Sequence, residues 1–325
     1  MKILIPDVVK SPAKIEKEIF GKTSEIIVGE AKNASDIKDN IWSAVDAVLT
    51  FDLIQYTKDL LKKMTSCKII VRVGVGYDNI DILAAKKQGI VVCNVPDYGT
   101  EEVADHTVGL LLMLTRGLKE YLLNVEKRNW SRANLLPTRL RGKTLGIIGL
   151  GRIGTATARR ASVLGLNIVF YDPYLADGIE KALGFKRLSS LSELACGSDF
   201  ISIHVPLTNE THNIIDENFF KLVKKNVYII NTARGELIDI KCLEKYMKKN
   251  IVAAAALDVL PIEPNCDEQS LIVALEKEEK WIKNRLIVTP HVAFYSPESY
   301  IEMRSSAAKE AKRFLEGNKP RNQVN

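Results

Sequence analysis

A glycine cluster near the middle of the chain constrains its fold more than any other feature. The stretch LGIIGLGRIG, Leu145 to Gly154, sets Gly149, Gly151 and Gly154 in GxGxxG spacing. An apolar run precedes it and a helical pattern, TATARRASVLG, follows. In such a turn the first glycine permits a tight bend and the second lets the backbone approach a pyrophosphate. The third lets helix and strand pack closely, and the free N–H groups of the helix start, here at Arg152 and Ile153, face the anion. The next apolar run, NIVFYD, ends at Asp172, eighteen residues after Gly154. That is close to the spacing of a ribose-binding carboxylate. A carboxylate accepts hydrogen bonds from ribose hydroxyls and repels a 2′-phosphate, and Pro173 follows it rather than an arginine. The pattern predicts NAD in preference to NADP; a turn cap before Pro173 is the alternative.

This unit begins late, and what precedes it has its own pattern. Short apolar runs, KILIPDVV, SEIIVGE, AVDAVLTF, KIIVRVG and IVVCNVP, alternate with helical stretches such as KDLLKKM and DILAAKKQG. The alternation predicts βαβ units and a parallel sheet. A long helix follows, with Thr100 as its cap, Glu101 and Glu102 in its first turn, and apolar residues at helical spacing. The charged stretch Glu120 to Arg141, which holds Pro137, reads as a connection or an oligomer contact. A second βαβ series runs from TLGIIGLG through NIVFYD, FISIHVP, VYIINTA and AAAALDV to RLIVTPH. A last helix, with Ser296 as cap, Pro297 in its first turn and Gly317 at its end, has no sheet of its own and is expected to pack on the first domain. The expected organisation is therefore an inserted one. Residues 1–100 and 293–325 form one domain, and residues 101–292 form the dinucleotide-binding domain.

Composition narrows the class. At 325 residues the chain is long enough for two cores, and 46% hydrophobic with 26% charged residues is an ordinary globular profile. The net charge of +6 comes from scattered lysines and arginines, which does not suggest nucleic-acid binding. Five cysteines, Cys67, Cys93, Cys196, Cys242 and Cys266, are odd in number and widely spaced. They argue against a disulfide framework and against a metal site, and fit a reducing, cytoplasmic location. Pro6 and Asp7 break the first apolar run, so it is too short for a signal core. No run is long enough to span a bilayer.

Ligands of open α/β sheets bind beyond the carboxyl ends of the strands. Arg234 follows VYIINTA, Asp258 follows AAAAL with Glu263 shortly after, His204 ends FISI, and His291 ends RLIVTP. Reducing a 2-oxo acid by hydride requires a cation to hold the carboxylate and polarise the ketone, an acid to protonate the oxygen, and a carboxylate to keep that acid charged. Arg234, a histidine and Glu263 fit. Of the four histidines, His106 reads as a packed or surface residue of the long helix and His212 as a loop residue. Spacing alone does not choose between His204 and His291.

Six stretches together, VRVGVGYDNIDI, GIIGLGRIG, HVPLTNETHNII, NTARGELID, AALDVLPIEP and TPHVAFYS, resemble the D-isomer-specific 2-hydroxyacid dehydrogenase family over essentially the whole length. The resemblance implies an α/β fold of two Rossmann or flavodoxin-like domains with parallel sheets, the nucleotide domain inserted into a discontinuous substrate domain. It implies Arg234, Glu263 and His291 as catalytic residues. It places the backbone of Val75 and Gly76 on the substrate carboxylate and Thr107 on the cofactor phosphates. Val205, Pro206 and Thr211 would line the adenosine side, and Thr232 and Asp258 the nicotinamide side. It also implies a homodimer.

Within the family, YDPYLADGIEKALG and SYIEMRSSAAKEAKRFLEG resemble the C-terminal-binding-protein-like branch. That raises an NAD(H)-sensing binding module as an alternative to an enzyme. Phe294, where that group has tryptophan, and the lack of a long tail favour the enzyme. The expected reaction is of the glyoxylate or hydroxypyruvate reductase kind. A 3-phosphoglycerate dehydrogenase is the other alternative, weakened by the lack of a recognisable regulatory domain. Arg72 and Phe294 are candidate substrate contacts, with Arg72 suited to a second anion, to a salt bridge or to a surface site. The segment 265–285 is longer than expected, looks helical through Leu271, Leu275 and Trp281, and would cover the cleft, meet a partner subunit or be a plain surface insertion.

Overall fold

The computed structural model describes residues 1–131, 137–263 and 269–325. It divides into two compact units, Met1–Gly99 with Tyr295–Asn325, and Thr100–Phe294.

The first unit is built on a parallel sheet of β1 (Lys2–Ile5), β2 (Glu25–Val28), β3 (Ala47–Thr50), β4 (Ile69–Arg72) and β5 (Val91–Cys93), in the order β2-β1-β3-β4-β5. Strands β3 and β4 are buried at every position, as strands covered on both faces must be. The order is that of flavodoxin-like sheets. The last helix, Pro297–Leu315, packs on helix Lys14–Phe20. Ser296 caps it through the Ser299 N–H at 2.9 Å. Gly317 takes the left-handed turn that follows its end, with φ +87°. Arg304 on this helix donates to both oxygens of the buried Glu16, at 2.8 and 2.6 Å. Breaking one side of such a pair would strand a buried charge. After β3, the carboxylate of buried Asp7 accepts from the N–H groups of Phe51 (2.9 Å) and Leu53 (3.1 Å) and so shapes that loop. Burial raises the Asp7 pKa, and these two bonds only partly counter it.

The second unit carries seven parallel strands: β6 (Thr144–Ile148), β7 (Asn167–Tyr171), β8 (Lys186–Arg187), β9 (Phe200–Ile203), β10 (Val227–Asn231), β11 (Val252–Leu257) and β12 (Leu286–Val288). Their order is β12-β11-β10-β9-β6-β7-β8. Numbered from β6, this is the Rossmann order 3-2-1-4-5-6 with one further strand. The chain reverses direction across the sheet between β6 and β9, beside the glycine turn. Strand β8 has two residues and no apolar run, and the sequence did not announce it. The long helix spans Thr100–Arg116, with Thr100 as its first residue rather than its cap. A second helix, Leu118–Glu126, runs into the stretch from Glu120 expected to be a connection or an oligomer contact.

Apolar side chains of the segment 265–285 pack into the core, while most of its described charged residues stay exposed. Helix Ser270–Glu276 buries Leu271 and Ala274, and Leu275, Trp281 and Ile282 join the same apolar cluster as β10 and β11. Arg285 staples it down, donating to the carbonyls of Met247, Val252 and Ala253. Residues 264–268, including Cys266, lie outside the described residues. Among the described residues no helix is long and apolar enough to cross a membrane, and no three His, Cys, Asp or Glu side chains gather as metal ligands.

Candidate active site

The glycine turn shows why a side chain is excluded at two of its three glycines. Gly149 sits at φ +85°, and a Cβ there would lie 2.8 Å from the His204 carbonyl oxygen and 2.7 Å from Val205 Cγ1. At Gly154 a Cβ would overlap the Gly149 carbonyl oxygen. At Gly151 it would meet nothing within 4 Å. Gly151 is the N-cap of helix Arg152–Val163, and no side chain caps it. An open backbone at an uncapped helix N-terminus suits a pyrophosphate, so the residues fit a dinucleotide. Asp172 accepts from Leu150 N at 2.9 Å through one oxygen and from Tyr174 N at 3.0 Å through the other. It therefore caps its own turn and also braces the glycine loop, with lone pairs left on both oxygens for ribose hydroxyls.

At the same carboxyl edge of the parallel sheet, Arg234, Glu263 and His291 follow β10, β11 and β12. Buried Asn231 sets the Arg234 turn, donating from Nδ2 to the Arg234 carbonyl at 2.7 Å and accepting from Ala233 N at 3.0 Å. The Arg234 guanidinium donates to the Ala233 carbonyl at 2.7 Å. Next comes Gly235, where any Cβ would overlap the Leu260 carbonyl carbon and the Pro261 nitrogen. That close approach locks the arginine turn against the loop carrying Glu263. Glu263 has one oxygen 2.6 Å from Leu260 N and the other 2.6 Å from His291 Nδ1. A fixed carboxylate on Nδ1 leaves Nε2 as the atom that exchanges a proton. Between the two histidines the sequence left open, His291 has the carboxylate partner. Among the described residues, His204 has as side-chain partner the Ser202 hydroxyl, 2.8 Å from its Nε2.

His291 has φ +53°, in the left-handed region. Asp258, 1% exposed, holds this turn. Its Oδ1 accepts from Thr289 Oγ1 (2.5 Å) and Val292 N (3.0 Å), its Oδ2 from Ala293 N (2.9 Å), and its carbonyl from His291 N (2.8 Å). A cofactor contact by Asp258 would use the lone pairs these bonds leave. The Phe294 ring meets His291 edge-on, centroids 6.3 Å apart.

Other expected contacts are placed as follows. Thr107 is buried; its hydroxyl donates to Val103 O at 2.7 Å and lies 2.9 Å from Thr232 Oγ1. Thr211 donates to Pro206 O at 2.6 Å and so shapes the turn after Val205. His106, which the sequence assigned no role, lies 3.1 Å from Thr289 Oγ1. Nothing local in the sequence marks that contact, since 183 residues separate the pair. In the other unit, Arg72 is not a surface residue: it is 8% exposed and donates to Val73 O at 2.9 Å. In the neighbouring turn Asn94 donates to Val75 O at 2.7 Å, and Gly76 is half-buried.

The chain is 36% identical, over 100% of its length, to a D-3-phosphoglycerate dehydrogenase of Methanocaldococcus jannaschii. It spans 59% of that relative. A crystal structure of D-lactate dehydrogenase from Aquifex aeolicus, complexed with NAD and lactic acid, is similar at 31% identity and TM-score 0.84, covering 98% of this chain and 96% of that one. A glyoxylate reductase from Paecilomyes thermophila is similar at 28% identity and TM-score 0.88, covering 99% and 97%. A second D-3-phosphoglycerate dehydrogenase, of Bacillus subtilis, is 35% identical over 90% of this chain, and these relatives correct the expected kinship with the C-terminal-binding-protein-like branch. Residues 108–293, more than half of the chain, match the model of the D-isomer specific 2-hydroxyacid dehydrogenase NAD binding domain, and the chain belongs to that family.

Proposed function

We propose that the chain is an NAD-dependent oxidoreductase that interconverts a small 2-oxo acid and its D-2-hydroxy acid. The observation that carries this reading is the 2.6 Å contact between Glu263 Oε2 and His291 Nδ1, set beside a guanidinium at the next strand end but one. When bound, the nicotinamide supplies or accepts the hydride. Arg234 would bind the carboxylate and polarise the ketone, an anchoring task suited to the guanidinium fork. His291 would give a proton from Nε2 to the carbonyl oxygen during reduction and take it back in the reverse direction. Glu263 would orient the imidazole and balance its charge, while Leu260 N holds Glu263 still.

The glycine turn, Arg152, Ile153 and Asp172 would hold the dinucleotide, with Val205, Pro206 and Thr211 on the adenosine side. Thr107, Thr232 and Asp258 would be close to the phosphates and the nicotinamide. Asp172, with the nearby Tyr174–Glu210 hydrogen bond adding a second carboxylate, favours NAD over its phosphorylated form. Val75 and Gly76 would offer backbone N–H groups to the substrate carboxylate, and Phe294 an apolar surface. For partners, a homodimer is supported by helix Leu118–Glu126, which buries no residue and leaves Leu122 63% and Val125 52% exposed.

The substrate is read as glyoxylate or hydroxypyruvate. A phosphorylated acid is the second reading, supported by the phosphoglycerate dehydrogenase relative and by the cationic Arg72. NADH oxidation measured with glyoxylate, hydroxypyruvate, pyruvate, phosphohydroxypyruvate and bulkier 2-oxo acids tests both. Turnover of a neutral-tailed acid supports the first, preference for phosphohydroxypyruvate the second, and NADH binding without turnover of any of them counts against an oxidoreductase of this class.

A further inference from the structure

His106 belongs to the long helix, yet its Nε2 reaches the end of β12. The Thr289 hydroxyl has a single proton, and this goes to Asp258 Oδ1 at 2.5 Å. Toward His106, 3.1 Å away, the same oxygen must therefore accept, so Nε2 carries a hydrogen. Nε2 also lies 3.7 Å from Asp258 Oδ1 itself. The Asp258 carboxylate in turn accepts from Val292 N and Ala293 N, directly after His291. His291 has φ +53°, a backbone conformation unfavourable to a residue with a Cβ. Such a turn persists only where its surroundings hold it. Here they form a chain of four groups: His106, the Thr289 hydroxyl, the Asp258 carboxylate and the amides after His291.

We infer that His106 is a positioning residue for His291. Its N–H fixes the Thr289 hydroxyl, which aims the Asp258 carboxylate at the left-handed turn and so sets the direction from which the imidazole meets a substrate oxygen. The inference rests on the reading above that His291 is the proton-exchanging group. His106 touches neither His291 nor the atoms that react, so it is not a catalytic residue. Among the described residues, Asp258 is the other charged side chain of this network, accepting from the Thr289 hydroxyl and from both amides.

The test compares His106→Leu, which removes the donor, with His106→Gln, which keeps an N–H at similar reach. Amide hydrogen exchange on the full chain reads the turn directly, and kcat and the NADH dissociation constant read its consequence. His106→Leu should speed exchange at Val292 and Ala293 about tenfold and lower kcat about tenfold, the weight of one hydrogen bond to a charged network, with NADH affinity unchanged. His106→Gln should restore both. Wild-type exchange and kcat in His106→Leu, or a His106→Gln that fails as fully, would overturn the inference. Imidazole 15N shifts of the wild-type protein supply a check that needs no variant: a His106 ring protonated at Nδ1 alone would also overturn it. Exchange needs no substrate, so a protein that turned over no 2-oxo acid would remove the functional reading while leaving the His106 links to be judged by exchange.

Discussion

Glu263 is held from behind before it holds His291: Leu260 N binds one carboxylate oxygen and His291 Nδ1 the other, each at 2.6 Å. A glutamate so fixed presents its charge in one place, which is what separates an orienting group from a surface ion pair of little worth. Glu263→Gln keeps the shape but puts an amide N–H where one of the two donors now points. It should lower kcat about 10–100-fold, the value of a hydrogen bond to a charged group. His291→Ala should lower it about 10²–10⁴-fold with NADH affinity intact. Steady-state kinetics with NADH titration checks both, and a His291→Ala protein of wild-type kcat would end the assignment.

Gly235 stands where the arginine turn and the glutamate loop touch backbone to backbone. Gly235→Ala should push the 260–261 backbone away, destabilising the protein by about 1–3 kcal/mol, the usual result of overpacking. Because that backbone carries the N–H that grips Glu263, kcat should fall as well. Thermal unfolding and kinetics on the same variant check this, and a neutral substitution would mean the loop yields without consequence.

Asp172 braces Leu150 N and Tyr174 N at once. Asp172→Ala should weaken NADH binding and narrow the preference for NADH over NADPH. Isothermal titration with both cofactors decides it; unchanged discrimination would place that choice elsewhere.

Burial pushes the His204 imidazole down to about 3, although the residue keeps some accessible surface. The ring should stay neutral at pH 5, which a histidine NMR titration reads directly. Its folded pKa lies below the ordinary 6.5, so the unfolded chain takes up a proton that the folded one refuses. The contribution is therefore full above pH 6.5 and is lost as pH falls from there toward 3, at up to about 1.4 kcal/mol per pH unit. A His204 titrating near 6.5 would show the ring to be hydrated.

Strands and the glycine turn were legible because each is a local pattern. An apolar run such as FISI has to be buried on both faces, and GxGxxG prescribes one backbone path. Strand β8 was not, because two charged residues joined to β7 by a short edge pairing carry no such pattern. The helix of segment 265–285 was visible in Leu271 and Leu275, but not its burial, which depends on β10 and β11 arriving beneath it. Arg234, Glu263 and a histidine were legible as chemistry. Choosing His291 over His204 required either the family resemblance or the carboxylate contact. His106 was hidden for a plainer reason: its partner lies at the far end of the same unit, and a lone histidine in a helix gives no sign of what it faces.

His106 and Thr107 are consecutive residues of one helix, and they reach the ends of different strands, Thr289 after β12 and Thr232 after β10. The arginine turn and the histidine turn are thus moored to a single rod. A mutation that shifted the rod would disturb both together, so the proposed reactive pair is hard to retune piece by piece.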